Sequence, residues 1–321
     1  MTYTVVATDK VSESGLGHIV GDDRFYVLFE HDSASESFVA ALSGADALIV
    51  RSATTVDTEM LAGAPNLKVI GRAGVGVDNI DIPAATRRGI AVVNAPFGNT
   101  IAAAEMTMAL ILATMRHVVA ADASLRAGKW DRASFQGSEL LGRRLGLIGA
   151  GRIGREVATR CQSFGMDVII YDPYLSEDRA EEIGCRLTDL DEVVHTADVI
   201  SLHVPLTDET WGIINRESIS MMKAGTYVIN ASRGGVVVES DLADALESGH
   251  LGGAALDVYE EEPLGEGSPL RNAPRLTLTP HLGASTAEAQ VHVAVEVAAN
   301  VAAVLVDGDL ATALNRDQLV N

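Results

Sequence analysis

The chain has 321 residues, 47% of them hydrophobic, and carries 44 acidic against 24 basic side chains for a formal charge of -20. That length exceeds what a single core usually serves and predicts two domains, while the acidic balance excludes nucleic acid and anionic membranes as partners. No apolar run reads as long enough to span a membrane and the start MTYTVVATDK shows no basic-then-apolar leader, so a cytoplasmic protein is expected.

Short apolar runs alternate with helical patterns throughout, as in parallel sheets covered by helices. Strands are predicted over residues 4–7, 26–29, 47–50, 69–71 and 91–94, giving a first α/β unit. Residues 100–127, TIAAAEMTMALILATMRHVVAADASLRA, contain neither Gly nor Pro and predict one long buried helix, running between domains or across a subunit interface. A second unit follows, with strands over 145–148, 168–171, 199–203, 226–230, 254–258 and 276–279 in a sheet of about six. The tail over 284–306 is again helical and stops at Asp307-Gly308. Cys161 and Cys185 lack CxxC spacing and read as core thiols in a reducing compartment. Only four bases are lysine (Lys10, Lys68, Lys129, Lys223), which with the acid excess hints at salt adaptation.

Residues 145–172, LGLIGAGRIGREVATRCQSFGMDVIIYD, read as strand, tight turn, helix, strand and acid. In Gly149-x-Gly151-x-x-Gly154 the first glycine permits the turn, the second admits a pyrophosphate to the backbone N–H groups, and the third lets helix and strand pack closely. Asp172 follows Gly154 by 18 residues, near the offset of about 20 at which a carboxylate bonds an adenosine ribose. It favours NAD over NADP, because it would repel a 2'-phosphate. The plainer reading of Asp172 is a solvated strand-end acid.

Three further residues arrive at later strand ends of the same unit, where doubly wound sheets bind ligands. Arg233 follows TYVINAS, Glu262 follows ALDVYEE and precedes Pro263, and His281 follows LTLTP. An Arg grips a carboxylate through paired N–H bonds, a His exchanges a proton near neutral pH, and a Glu beside it favours the imidazolium. Singly, each has a duller explanation: a loop arginine, one of three solvated acids, a histidine after a proline. Together they suit hydride transfer at a 2-oxo acid. No metal set is expected.

Through RSATTV, GRAGVGVDNID, VVNAPFGNT, AGKWDRASFQGSEL, GAGRIGREVATR, INASRGG, ALDVYEEEP and TPHLGAST, from about Arg51 to Gln290, the chain resembles the D-isomer-specific 2-hydroxyacid dehydrogenases. The resemblance implies an α/β fold of two doubly wound domains: a Rossmann NAD-binding domain over 99–284, inserted into a flavodoxin-like substrate-binding domain made of 1–98 and a returning C-terminal helix at 285–321. It implies a homodimer held through the NAD-binding domains. Arg233 would orient the substrate, His281 would be the acid/base and Glu262 would polarise it. NAD would lie over Gly149, Gly151, Arg152, Ile153 and Gly154, with Asp172 on the ribose, Asp257 on the carboxamide, and Val204, Ser232 and Gly283 as walls.

The same resemblance places Val75 and Gly76 at the substrate carboxylate, with Arg51, Ser52 and Arg72 nearby. Arg51, Arg72 and, from a neighbouring subunit, Arg132 match bases that approach a phosphate, which makes 3-phosphoglycerate the expected substrate of this anion-binding site. The duller reading pairs Arg51 and Arg72 with acids such as Asp46 or Asp78. Alternatives are a reductase of hydroxypyruvate, glyoxylate or another small 2-oxo acid, and a non-enzymatic NAD-sensing scaffold. Formate-type relatives carry an amide where Glu262 stands. Because some relatives add C-terminal domains that sense serine and this chain stops at ATALNRDQLVN, that feedback is not expected.

Overall fold

The computed structural model describes residues 2–320. The chain divides into two compact units, one of Met1–Asn99 with Ala284–Asn321, the other of Thr100–Gly283. Both are parallel sheets buried on each face, which is why their strands are apolar runs rather than alternating ones.

In the first unit β1 (Tyr3–Ala7), β2 (Phe25–Phe29), β3 (Ala47–Val50), β4 (Val69–Arg72) and β5 (Ala91–Asn94) lie in the order β2-β1-β3-β4-β5. The order reverses between β1 and β3, and crevices for ligands open at the carboxyl ends of strands flanking such a switch. The helix Ala287–Ala302 starts where Thr286 caps it, its Oγ1 accepting from Ala289 N–H at 3.1 Å, three residues later than the apolar pattern suggests. With the π-helical turn Ala303–Asp307 it makes 21 residues of mean hydropathy 1.7, long and apolar enough to cross a membrane, contrary to the expectation that no segment is. Its apolar side is used within the unit: Val293, Ala294, Val297, Ala298 and Val301 are buried in one cluster with Val5, Ile49, Val69 and Val93.

In the second unit β6 (Arg144–Ile148), β7 (Asp167–Tyr171), β8 (Arg186–Leu187), β9 (Val199–Leu202), β10 (Tyr227–Asn230), β11 (Gly253–Leu256) and β12 (Leu276–Leu278) form a sheet ordered β12-β11-β10-β9-β6-β7-β8. The sheet has seven strands rather than about six, because β8 is two residues long and one of them is charged, too short for any periodicity to mark. Here the order reverses between β6 and β9.

The single helix expected over 100–127 is two: Thr100–Met115 and Val118–Arg126, bent by 62°. His117 sits in the left-handed region at φ 53, and the Met115 carbonyl, released from the helix, accepts from Ser138 N–H at 2.9 Å. No Gly or Pro marks the break because a returning strand of chain supplies its cause. The first piece packs on the helix Arg152–Ser163 and on β10–β12, so its apolar face is absorbed inside its own unit. The second piece has no buried residue at all.

Candidate active site

The glycine turn joins β6 to the helix Arg152–Ser163. Gly149 has φ 90, and a Cβ there would stand 2.7 Å from the His203 carbonyl oxygen and 2.8 Å from Val204 Cγ1. Only glycine fits both demands. Gly154 likewise packs against the Gly149 carbonyl, whereas the space over Gly151 is open and no side chain caps the helix start there. An anion with several oxygens fits such a start, since the first-turn N–H groups have no helical partner of their own.

Asp172, at the end of β7, ties this turn in place: its Oδ2 accepts from Ala150 N–H at 2.8 Å and its Oδ1 from Tyr174 N–H at 2.9 Å. It is therefore not a loosely solvated strand-end acid. Arg155 adds a bond from Nε to the Ala150 carbonyl at 3.0 Å. Beneath the turn, His203 shares a 2.9 Å hydrogen bond with Ser201 Oγ, and burial pushes its imidazole down to about 4, so it is neutral at physiological pH. Arg152 is exposed and Ile153 half-buried at the helix start.

The second group of residues stands after β10, β11 and β12. His281 Nδ1 lies 2.7 Å from Glu262 Oε2, and Glu262 Oε1 accepts from Tyr259 N–H at 3.1 Å. Burial raises the Glu262 carboxyl, but the His281 bond and charge, the Tyr259 N–H and the charge of Arg233 outweigh it and hold the group below the ordinary carboxylate range. Both side chains keep contact with solvent, 42% exposed for His281 and 37% for Glu262, so the pair is open to a ligand and its attraction is screened. His281 has φ 55, an uncommon conformation for a residue with a Cβ and one concentrated at functional sites. The run of three acids is thereby sorted. Glu262 takes the histidine, Glu261 is exposed, and Glu260 exchanges backbone-to-carboxylate bonds with Glu239 at 2.7 and 3.1 Å.

Behind these side chains lies a polar framework of which the sequence marks only Ser232 and Asp257, as cofactor contacts rather than as supports. Asn230, 1% exposed at the end of β10, accepts from Ser232 N–H and Ser232 Oγ and donates to the Arg233 carbonyl at 2.8 Å, shaping the loop that carries Arg233. Arg233 Nη1 donates back to the Ser232 carbonyl at 2.7 Å. Asp257, also 1% exposed, accepts from Thr279 Oγ1 at 2.6 Å and from the Leu282 and Gly283 N–H groups at 2.8 Å each, holding both sides of His281. Tyr259 Oη donates to the Thr279 carbonyl at 2.7 Å, and its phenol is pushed up to about 12 by burial.

The remaining site residues lie elsewhere. In the first unit Arg51 and Ser52 follow β3, Arg72 ends β4, and Val75 and Gly76 form the next turn, where the Val75 carbonyl accepts from Asn94 Nδ2 at 2.6 Å. Asp46 is bound to Lys68 at 2.9 Å and to Thr4 N–H, and so is committed away from Arg51 and Arg72. Arg132 is exposed on the arm after the helix Val118–Arg126, beside Trp130 and Phe135 rather than with Arg233, Glu262 and His281.

Residues 108–283 match the family model described as the D-isomer specific 2-hydroxyacid dehydrogenase, NAD binding domain, and the chain belongs to that family. Its second unit is therefore an NAD-binding domain of that family. It is 46% identical over 299 residues to a D-3-phosphoglycerate dehydrogenase of Bacillus subtilis, an alignment covering 93% of this chain and 56% of that protein. It is 50% identical over 270 residues to the D-3-phosphoglycerate dehydrogenase of Synechocystis sp., covering 84% and 49%. The chain thus spans about half the length of these curated relatives. A D-lactate dehydrogenase from Aquifex aeolicus, solved with NAD and lactic acid, superposes with a TM-score of 0.83 at 32% identity over 96% of this chain and 97% of that one.

Asp172→Ala should raise the Kd for NAD about tenfold and narrow the preference for NAD over NADP, since it removes both the loop ties and the acid that repels a 2'-phosphate. Titration with the two cofactors decides this. An unchanged NAD/NADP ratio would contradict the role of Asp172.

Proposed function

We propose that the protein is a cytoplasmic NAD-dependent oxidoreductase of D-2-hydroxy acids whose substrate is 3-phosphoglycerate. The observation that carries this reading is the Glu262–His281 pair at 2.7 Å, set within reach of the Arg233 charge on the unit that holds the glycine turn. When bound, NAD supplies the hydride acceptor. Arg233 orients the substrate carboxylate and the oxygen on C2, as bidentate guanidinium geometry allows. His281 removes the hydroxyl proton as the C2 hydride leaves, so the alcohol becomes a ketone, and the ionised Glu262 stabilises the imidazolium that results.

Within this reading the unit of 100–283 serves as the NAD-binding domain and the unit of 1–99 and 284–321 as the substrate domain. Val204, Ser232 and Gly283 wall the cofactor, and Asp257 serves its carboxamide end while holding the His281 loop. Val75, Gly76 and Ser52 address the carboxylate end of the substrate, and Arg51 and Arg72 its phosphate. Phosphate recognition also answers how so acidic a chain takes an anion, since nearby guanidinium groups outweigh a screened net charge. The exposed apolar residues of the arm, Val118, Val119, Leu125 and Trp130, support a homodimer in which Arg132 reaches the partner's substrate.

The test is NADH formation by the whole chain on 3-phosphoglycerate, with molecular mass measured by sedimentation. Turnover and a two-chain mass are expected. NAD binding without turnover on any 2-hydroxy acid would instead make the protein a scaffold, and a single-chain mass would remove the role of Arg132.

A further inference from the structure

At the switch point of the first unit, the loop that follows β3 is held from two sides, by Asp9, which no motif marks, and by Asn79 of the GRAGVGVDNID block. Asp9 lies just beyond β1 at φ 56, a conformation that side-chain-bearing residues seldom adopt. Its Oδ2 accepts from Arg51 N–H at 2.8 Å and Thr54 N–H at 3.1 Å, and its Oδ1 from Thr54 Oγ1 at 2.6 Å. From the other side Asn79 Nδ2 donates to the Arg51 carbonyl at 2.7 Å and the Thr54 carbonyl at 2.6 Å. Four backbone groups of a four-residue loop are thus satisfied by two side chains from other loops. Thr54 is 1% exposed and Arg51 only half-buried, so the clamp is anchored at its inner end while the arginine stands at its outer one.

This is more order than a turn needs. A short connection after a parallel strand commonly satisfies its polar groups with water, and ordering it costs conformational entropy. The clamp lies where β1 and β3 part, the place in a 2-1-3-4-5 sheet where ligands settle. A carboxylate on the loop's N–H groups also sets a negative charge beside Arg51, which opposes the lowering that burial imposes on its guanidinium.

We propose that Asp9 is a positioning residue for substrate specificity: through the clamp it shares with Asn79 it fixes the Arg51–Ser52 loop in the geometry that receives the phosphate of the substrate. The inference rests on the reading of Arg51 as a phosphate ligand given above. Asp9 does not touch the substrate.

The test is steady-state kinetics of the whole chain with NAD on 3-phosphoglycerate. Asn tolerates a positive φ better than other residues, so Asp9→Asn keeps the backbone, and with its amide oxygen on the two N–H groups and its Nδ2 on Thr54 Oγ1 it replaces a charged acceptor by a neutral one. It should raise KM for 3-phosphoglycerate about tenfold, as expected when hydrogen bonds to a charged acceptor become neutral ones, with kcat and the Kd for NAD within about twofold of wild type. In an Arg51→Ala background the same change should have less than about a twofold further effect, because the phosphate ligand that the clamp positions is then gone. Asn79→Ser should reproduce the KM-against-kcat split and decides the matter if Asp9→Asn does not fold. An unchanged KM, or a loss that multiplies with that of Arg51→Ala, overturns the proposal. If Arg51→Ala alone leaves KM unchanged, the phosphate reading of Arg51 falls and takes this inference with it.

Discussion

His281→Ala is expected to lower kcat for 2-hydroxy acid oxidation by about a thousandfold, in the range that general acid-base groups contribute, while the Kd for NAD stays put. The separation follows from the structure. The glycine turn and Asp172 stand at β6 and β7, and His281 follows β12 at the far edge of the same sheet. The variant removes the proton acceptor and also leaves Glu262 without the partner that, with Tyr259 N–H and the Arg233 charge, outweighs its burial. Glu262 in this variant should therefore titrate at higher pH than in the wild type. Isothermal titration with NAD and initial rates on the same preparation separate the two effects, and a variant that turns over normally would remove His281 from the chemistry.

Gly234→Ala is expected to be the most damaging small substitution in the second unit. A Cβ at this position would stand 1.7 Å from the Tyr259 carbonyl oxygen and 2.1 Å from its carbon, both backbone atoms that no rotamer change can move aside. The loop carrying Arg233 and the loop leading to Glu262 must then separate, which breaks the Asn230 bonds on one side and strains the Tyr259 to Glu262 bond on the other. Overpacking of this kind costs about 3 kcal/mol or more, and displacement of reacting groups by about an ångström adds a hundredfold in rate. Thermal unfolding and kcat/KM should fall together. A variant of wild-type stability and activity would show that the two loops do not need their close approach.

The parts of this architecture carried by short-range rules are legible in the chain itself. Eleven of the twelve strands among the described residues are legible as short apolar runs because a parallel sheet is covered on both faces, and the glycine spacing with Asp172 follows from the geometry of one turn. What escapes is what distant residues impose. The break at His117 depends on Ser138 reaching the Met115 carbonyl, and β8 exists because Arg186 and Leu187 pair with β7. The membrane-length apolarity of Ala287–Asp307 is spread over a helix with glutamates on its outer side, so it does not appear as a run. In the candidate site Arg233, Glu262 and His281 stand at strand ends and announce themselves, but Asn230 and Tyr259, which help hold them, are buried in apolar context, and Asp257 is named by the resemblance only as a cofactor contact. A polar residue inside an apolar strand, such as the final Asn of TYVIN, was the one available signal.

In the proposed function Arg51 and Arg72 would distinguish a phosphorylated substrate from its smaller relatives, and a guanidinium–phosphate contact discriminates strongly when the competing ligand leaves the charge unmatched. The most direct measurement is kcat/KM with NAD for 3-phosphoglycerate against D-glycerate and D-lactate on the same enzyme. 3-Phosphoglycerate should be preferred by on the order of a hundredfold, the size of about two charge-assisted hydrogen bonds. Equal values, or a preference for either unphosphorylated acid, would contradict it.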